Sequence, residues 1–346
     1  MFTKSLIAGA ALGGMLLSAT PASADDAGLY GAADPTYDGG YRQALSILAL
    51  RSADKAVPKA AVRWLKRQQC ADGGFMAYRA DTKADCQAPD ADNFSGQDSN
   101  TTAMAAAALL QTGDRKAARK AAQWLVKHRN DDDGWAYYPA PRAASDTNST
   151  ALANAAVTAV RGKQKNRYLR SVQQRCTAAR ADRGGLAFDT SAPDVNDNAT
   201  AQAAWTLGGG LILPEAARIS ASLPRLKCQG KQRNRASTKT AALGYLGTRL
   251  LDLKGDLPYG GGYPGTDYAG TAWATLALAN ARVARKSVRV STRFLERSAR
   301  TWVTAGGDDA PGSLAMLILV AGATAENPKD FGGINLVRRL NKTRTP

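Results

Sequence analysis

An internal repeat constrains the fold of this chain more than any other feature of its sequence. In two copies a tryptophan lies eleven residues before an aromatic residue that follows an Asp-Gly turn: Trp64 before Phe75, and Trp124 before Trp135. Weaker copies of the glycine turn occupy residues 182–188 and 258–263. A chain with this pattern is expected to stack one supersecondary unit several times.

A second motif follows each glycine turn and begins an alanine-rich segment. It has the form Asp/Asn-x-Asn-x-Thr-Ala at 98–103, 146–151 and 196–201, with looser copies at 267–272 and 309–314 and a further start at Asp38. Asp, Asn, Ser and Thr accept hydrogen bonds from the free N–H groups of a helix N-terminus. Six starts therefore predict six helices of similar character.

Each repeat has the pattern of a helix pair. Residues 101–110 and 151–160 are apolar on every side, which is typical of a buried helix, whereas residues 115–125 are amphipathic and basic. No alternating β pattern persists over more than a few residues. The sequence therefore predicts an all-α fold, an (α/α)6 toroid of alternating inner and outer helices, with all inner N-termini and glycine loops at one rim. A helical segment at 237–253 has no place in this scheme.

The first 24 residues have the pattern of a secretory signal peptide. Lys4 precedes an apolar run at 5–17, and Ala22-Ser23-Ala24 is a cleavage site. We expect cleavage after Ala24, a single toroid domain of about six repeats over 25–346, and an extracellular location; a retained anchor is the alternative. No later apolar run approaches the roughly 20 residues of a membrane span.

The four cysteines are interpreted in the light of export. Outside the cytoplasm an even number of cysteines usually forms disulfides. Three pairings are open, and the shortest loops favour Cys70–Cys86 and Cys176–Cys228. A metal site is the alternative, but no C-x-x-C spacing occurs and His128 is the only histidine. We expect neither a metal nor a cofactor.

The helix end at Gln68–Gln69, the turn at 72–75 and the helix start at 98–103 resemble the prenyltransferase/squalene-oxidase repeat. The resemblance covers most of residues 30–340. That family comprises the terpenoid cyclase and protein prenyltransferase toroids, and carriers of vitamin B12 share its toroid. The resemblance implies an α/α toroid with a ligand mouth at one end and an isoprenoid or a corrinoid as ligand.

The departures from this family favour binding over catalysis. Protein prenyltransferases hold zinc with Asp, Cys and His, a set that this chain lacks. Class II cyclases use an Asp-x-Asp-Asp acid, and neither 131–133 nor 194–197 matches it. The thioester Cys-Gly-Glu-Gln motif is absent, and the β domain of the vitamin carriers would have to come from a separate partner chain.

Two groups of residues at the rim are candidates for ligand contact. The polar group consists of Asp98, Asn100, Asp146, Asn148, Asp197 and Asp267. The simpler interpretation of this group is helix capping. The aromatic group consists of Tyr137, Tyr138, Phe188, Tyr259, Tyr263 and Tyr268, for which we expect exposed tyrosine rings. Phe75 and Trp135 are expected to pack between repeats instead. A site lined by aromatic side chains with a few polar groups suits a bulky organic ligand.

Net charge and carboxylates leave further alternatives open. The formal charge of +17 arises on the outer helices and at 225–235. A solvated basic face is the simplest interpretation; an anionic cell-wall polymer is a second partner class, and nucleic acid is not expected. Asp98, Asp146 and Asp197 could supply a glycosidase carboxylate pair about 5–9.5 Å apart. The leading hypothesis is a secreted non-catalytic toroid that binds a bulky organic ligand or a cell-surface component; the alternative is a terpene cyclase-like or carbohydrate-active enzyme.

Overall fold

The fold is all-helical, as predicted. The computed structural model describes residues 26–32, 39–162, 164–208, 213, 216–260 and 263–346, so the predicted signal peptide at residues 1–24 lies outside the described residues. Within these ranges the only β pairing consists of isolated antiparallel bridges. The helices are α1 (Gly39–Ser52), α2 (Lys59–Arg67), α3 (Ser99–Gln111), α4 (Arg115–Lys127), α5 (Thr147–Arg161), α6 (Arg167–Ser171), α7 (Asp197–Leu207), α8 (Thr238–Asp252), α9 (Tyr268–Asn280), α10 (Arg285–Val303), α11 (Pro311–Thr324) and α12 (Leu336–Lys342).

Six of these helices form a closed inner ring. Helices α1, α3, α5, α7, α9 and α11 each pack against the next, and α11 packs against both α9 and α1. The even-numbered helices pack on the outside of this ring. The chain is therefore the predicted toroid, with parallel inner helices whose N-termini lie at one end.

The division between inner and outer helices follows from side-chain composition. On α3 nearly every residue is buried, and half of the buried residues are alanine, which lets neighbouring helices approach closely. On α4 one face is buried through Ala118, Ala121 and Leu125, while Arg119 is exposed. Arg170 on α6 is exposed as well. None of the helices in the described part of the chain has the length and apolar character needed to cross a bilayer.

The helical segment at 237–253 is the outer partner of α7. It forms α8, which packs against α7, α9 and α10. The additional element is the long connection between Leu207 and Thr238. Part of this connection lies beside the corner between α9 and α10, where Ser220 N–H donates to the Arg282 carbonyl at 2.9 Å. An insertion before an outer helix explains the longest step of the repeat.

The glycine turns attach each repeat to the following outer helix. Gly73 has φ +105°, and a Cβ there would lie 2.5 Å from the carbonyl oxygen of Lys120 on α4. Gln69 Nε2 donates to the Gly73 carbonyl and to the Ala117 carbonyl, both at 3.0 Å. Gln173 makes the same pair of bonds to the Gly184 and Thr238 carbonyls. These contacts explain why the motif combines glutamine with glycine.

The two ends of the described chain meet and close the ring. The N–H groups of Gly28 and Gly31 donate to the Thr345 and Thr343 carbonyls at 3.0 and 2.8 Å. Thr345 N–H returns a bond to the Leu29 carbonyl at 2.8 Å. Residues just after the expected cleavage site are therefore part of the folded domain.

Two disulfides are present, and they pair the cysteines as expected from loop length. Cys70 bonds to Cys86, and Cys176 bonds to Cys228. The first closes a loop next to the glycine turn at Gly73. The second attaches the long connection before α8 to the loop that follows α6. Both therefore join loops rather than helices.

Candidate functional site

Four inner helices begin with the same hydrogen bonds. The side chain of each cap residue accepts a bond from the backbone N–H three residues later, at 2.7–2.9 Å; the caps are Asp98, Asp146, Asn196 and Asp267. The threonine four residues after each cap accepts an N–H from the glycine loop; these threonines are Thr102, Thr150, Thr200 and Thr271. The Asp and Thr of the motif thus fasten the loop to the helix start.

The glycine loops join neighbouring repeats along the rim. Three of the loops reach back to the inner helix of the preceding repeat, where a loop carbonyl accepts a bond from the first turn. Ser99 N–H donates to the Tyr137 carbonyl and Thr147 N–H to the Phe188 carbonyl, both at 2.8 Å. Gly40 N–H donates to the Ala77 carbonyl at 2.6 Å. The rim at the N-terminal end of the inner helices is therefore built largely from backbone contacts.

The asparagines of the repeat form a polar network across three inner helices. Asn148 Nδ2 donates to Asn198 Oδ1 at 3.2 Å, and Asn198 Nδ2 donates to Asp267 Oδ2 at 2.9 Å. Gln202 Nε2 also donates to Asn198 Oδ1, at 3.1 Å. Asn100 Oδ1 is buried and has no hydrogen-bond partner in the described part of the chain. Asn198 was not selected from the sequence, although it occupies the same motif position as Asn100 and Asn148.

Burial shifts the acidity of the capping carboxyls. Loss of hydration raises the pKa of Asp98 to about 7 and the pKa of Asp146 to about 6, against the opposing effect of their hydrogen bonds to helix N–H groups. Burial also raises the pKa of Asp267. Asp98 has no solvent-accessible surface. With its pKa raised to about 7, the Asp98 carboxyl gains or loses its proton near neutrality. Because it has no exposed surface, it cannot touch a ligand in this conformation.

Asp98→Asn should change the pH dependence of stability. Because the pKa of Asp98 is higher in the folded chain than its ordinary 3.8, the folded chain binds the extra proton between about pH 4 and 7, and stability falls as pH rises through that window. Asn retains the cap but does not titrate. We expect the free energy of unfolding of the variant, relative to wild type, to increase by as much as about 4 kcal/mol between pH 4 and pH 8.

Urea unfolding of both proteins across that pH range measures this difference. Any constant cost of a buried amide nitrogen cancels, because only the change with pH is compared. Parallel stability curves for the two proteins would show that Asp98 keeps an ordinary pKa in the fold.

Asp197 has a different role from the capping carboxyls. It is the first residue of α7, and its carboxylate accepts bonds from Tyr245 Oη at 2.6 Å and Arg249 Nε at 3.1 Å, both on α8. Burial and the Asp197 charge raise the pKa of Tyr245 well above its usual range. Asp197 thus fastens α8 to α7 after the long connection, and both its oxygens are engaged.

The rim aromatics are less uniformly exposed than expected. Tyr259 is 40% exposed and Tyr263 is 58% exposed. The expectation of exposure was wrong for Tyr138, which is buried, with its ring 4.8 Å from the ring of Tyr137. Contact with the rings of Tyr137 and Phe94 covers it. Phe94, which is 57% exposed, was missed; an aromatic residue within the polar segment 90–97 is the signal that could have revealed it.

The remaining candidate aromatics are half-buried. Tyr268 stacks on Phe294 and Trp302 of α10, with ring centroids 6.1 and 5.7 Å apart, so it joins an inner helix to an outer one. Phe188 is half-buried as well. Phe75 and Trp135 have no accessible surface, in agreement with packing between repeats.

The large side chains on the inner helices border almost no open space. Met104 and Leu152 have no accessible surface, and Trp205 and Trp273 are each 3% exposed with ring centroids 4.6 Å apart. A side chain without accessible surface touches neither bulk water nor a cavity large enough for one water molecule. These residues therefore do not line an enclosed tunnel.

An open groove of about 650 Å³ lies at the rim between the second and third repeats. Its walls are the loops at 87–92 and 140–143, and they include Pro89 and Pro141. The same two connections carry Phe94 and Tyr138. The groove itself is open and is lined by small apolar residues together with Asp90, Asp92 and Arg142.

Charge is distributed unequally between the rim and the outer helices. The rim segments 87–98, 186–197, 256–267 and 304–314 contain aspartate but neither lysine nor arginine. Helices α2, α4, α6 and α12 contain lysine or arginine but no acidic residue. Four segments of the rim are therefore acidic and the outer surface is basic, while the exposed Arg142 in the groove wall is a basic exception on the rim.

Comparisons with known proteins agree with the fold. A crystal structure of a protein from Actinoplanes matches with a TM-score of 0.53 and 14% identity, covering 88% of this chain and 95% of that one. The apo type II terpene cyclase MstE from Scytonema matches with a TM-score of 0.47 and 16% identity, covering 77% and 72%. A single-substitution variant of MstE in complex with its substrate geranylgeranyl dihydroxybenzoate matches with a TM-score of 0.48 and 14% identity, covering 91% and 92%. No family model and no curated protein matches the chain.

At these identities the likeness concerns the fold alone. The Actinoplanes protein covers nearly the full toroid, so the ring of helix pairs is shared along the whole domain. Activity and ligand have to be argued from the residues of this chain.

Proposed function

We propose that this chain is a secreted, non-catalytic binding protein that holds a bulky organic ligand against the rim. This proposal rests on the observation that three of the four large apolar side chains exposed in the described part of the chain lie in rim loops: Phe94, Tyr259 and Tyr263. Exposed aromatic rings offer flat apolar faces, and tyrosine adds a hydroxyl group for orientation. Such surfaces favour recognition of large organic molecules.

The chemistry of the rim narrows the class of ligand. Four rim segments contain aspartate but neither lysine nor arginine. Their negative charge disfavours a strongly anionic ligand. An isoprenoid chain would need an enclosed apolar tunnel, which the buried inner-helix side chains do not favour. A flat ring system such as a corrinoid, or an uncharged component of the cell surface, suits an open aromatic rim better.

Catalysis is the weaker alternative. A glycosidase needs two carboxylates that reach the substrate. Asp98 has no accessible surface, and Asp197 is bonded to Tyr245 and Arg249. A cyclase-like reaction would need space among the inner helices, and no open space borders Met104 or Leu152 there.

Export is supported by two independent features. The segment 1–24 has the pattern of a signal peptide, and two disulfides are typical of a protein in an oxidising compartment. N-terminal sequencing of protein from the culture medium should begin at Asp25. Protein confined to the cytosol with residues 1–24 intact would contradict export.

Tyr263→Ala tests the proposed binding surface. Native mass spectrometry of protein purified from its culture medium should first identify a co-purified ligand. The variant should then bind this ligand about 2- to 12-fold more weakly, because an aromatic contact contributes about 0.5–1.5 kcal/mol beyond area. Its melting temperature should be nearly unchanged, since an exposed ring contributes little to the core.

Val126→Ala is the matched control. Val126 is as exposed as Tyr259, at 40%, but lies on outer helix α4. It should leave ligand affinity unchanged. Equal affinity of wild type and Tyr263→Ala, or an equal loss in the Val126 variant, would contradict binding at the rim.

A further inference from the structure

We propose that the outer face of α10 binds a flexible phosphodiester polymer, of the kind found among anionic cell-wall polymers, at a site separate from the rim. α10 is the longest helix in the described part of the chain. Six of its basic residues are exposed: Arg285, Lys286, Arg289, Arg293, Arg297 and Arg300. Glu296 is its only acidic residue.

The arginines lie in a row along the helix. Arg285, Arg289, Arg293 and Arg297 are separated by four residues each, and a rise of about 1.5 Å per residue places them about 6 Å apart along the axis. The opposite face is buried in the toroid through residues such as Val288 and Leu295. The row therefore presents a continuous line of guanidinium groups to solvent.

The long connection before α8 adds charge at the start of the row. Arg285 N–H donates to the Ser220 carbonyl at 2.9 Å, and Ala284 N–H donates to the Ser222 carbonyl at 2.7 Å. Arg218, two residues before Ser220, is exposed as well. The basic surface thus extends from α10 onto the neighbouring connection.

The arginines of the row repel one another, although Glu296 lies close enough to Arg293 and Arg297 to offset part of this repulsion. Like charges four residues apart on a helix destabilise it. Among the residues that the structure describes, no carboxylate lies within 4 Å of a charged nitrogen in any α10 side chain. Guanidinium groups bind phosphate oxygens in a bidentate manner, so a chain of phosphodiesters would satisfy several of them at once.

The shape of this face favours a polymer over a membrane. Interfacial helices insert large apolar side chains between lipids. The aromatic residues of α10, Phe294 and Trp302, instead stack on Tyr268 of α9. The outer surface of a ring of helices is also convex, which suits a flexible chain better than a flat bilayer.

A charge-matched pair of variants tests the site. The first carries Arg289→Gln, Arg293→Gln and Arg297→Gln; the second carries Lys116→Gln, Arg119→Gln and Lys127→Gln on α4, all exposed. The probe is fluorescently labelled poly(glycerol phosphate), with affinity measured by anisotropy at several salt concentrations. The α10 variant should bind about 10- to 100-fold more weakly near 0.1 M salt, with a slope of log K against log salt reduced by about 2. The α4 variant should stay within about twofold of wild type.

The remaining outcomes discriminate between partners. An equal loss in both variants would overturn the site in favour of general charge attraction. Tighter binding to vesicles with anionic phospholipid, or to single-stranded DNA with the same number of phosphates, than to poly(glycerol phosphate) would contradict the proposed partner. Tyr263→Ala should not change affinity for the polymer, so failure here and failure of rim binding are distinguishable. Both triple variants should remain folded, because all six residues are exposed, and the α10 variant should unfold at the same or a slightly higher temperature, since the loss of three like charges relieves repulsion along the helix.

Discussion

Gly184→Ala is expected to lower the free energy of unfolding by about 2–5 kcal/mol. Gly184 has φ +100°, where a Cβ costs about 1–2 kcal/mol. That Cβ would also lie 2.3 Å from the carbonyl oxygen of Ala241 on α8. The shifts of backbone and side chains that remove such a clash typically cost about 1–3 kcal/mol more. Urea and thermal unfolding measure the loss.

Gly113→Ala is the control for backbone conformation alone. Gly113 has φ +89°, and a Cβ there would meet nothing within 4 Å. It should cost only about 1–2 kcal/mol. If both variants lost the same stability, the glycine turn would need its conformation but not its close contact with the next outer helix.

Removal of the Cys176–Cys228 disulfide is also expected to lower the free energy of unfolding by several kcal/mol. The bond spans 52 residues, and the loop-entropy model assigns it about 4 kcal/mol, against about 3 kcal/mol for the 16-residue span of Cys70–Cys86. Cys176 N–H also donates to Asn234 Oδ1 at 3.2 Å, so a hydrogen bond attaches the long connection before α8 close to the disulfide. The double variant Cys176→Ser with Cys228→Ser should therefore unfold at lower denaturant than the Cys70→Ser with Cys86→Ser variant.

Alkylation tests the bonds directly. Unfolded wild-type protein without reductant should add no label, and with reductant it should add four. A wild-type protein with the same stability in oxidising and reducing buffer would show that neither disulfide stabilises the fold.

The positions of the helices follow from local interactions, which is why they were predictable from the sequence. A cap such as Asp98 bonds to an N–H only three residues away, and an apolar segment such as 101–110 reveals burial by composition. The sequence offers six such starts, four of which carry a side-chain cap in the structure, and this repetition leaves a closed ring of helix pairs as the expected arrangement. The chain lengths between cysteines favoured the two disulfides for a similar reason.

The candidate site depends on contacts between repeats, which the sequence pattern does not contain. Asn198 bonds to Asn148 fifty residues earlier and to Asp267 sixty-nine residues later. Tyr138 and Tyr263 are both tyrosines in glycine-rich loops, yet one is covered by neighbouring rings and the other is exposed.

The sequence by itself determined the repeat, the helix starts and the basic outer faces, because each depends on neighbours along the chain or on composition, and it favoured the cysteine pairs without deciding them. Only the tertiary structure decided that α8 is the fourth outer helix, that Asp98 is sealed from solvent with a raised pKa, and that the inner helices leave no tunnel beside Met104 and Leu152. The physical reason is that burial and desolvation depend on how closely distant segments pack, and side-chain volume fills the ring only after all six repeats have come together.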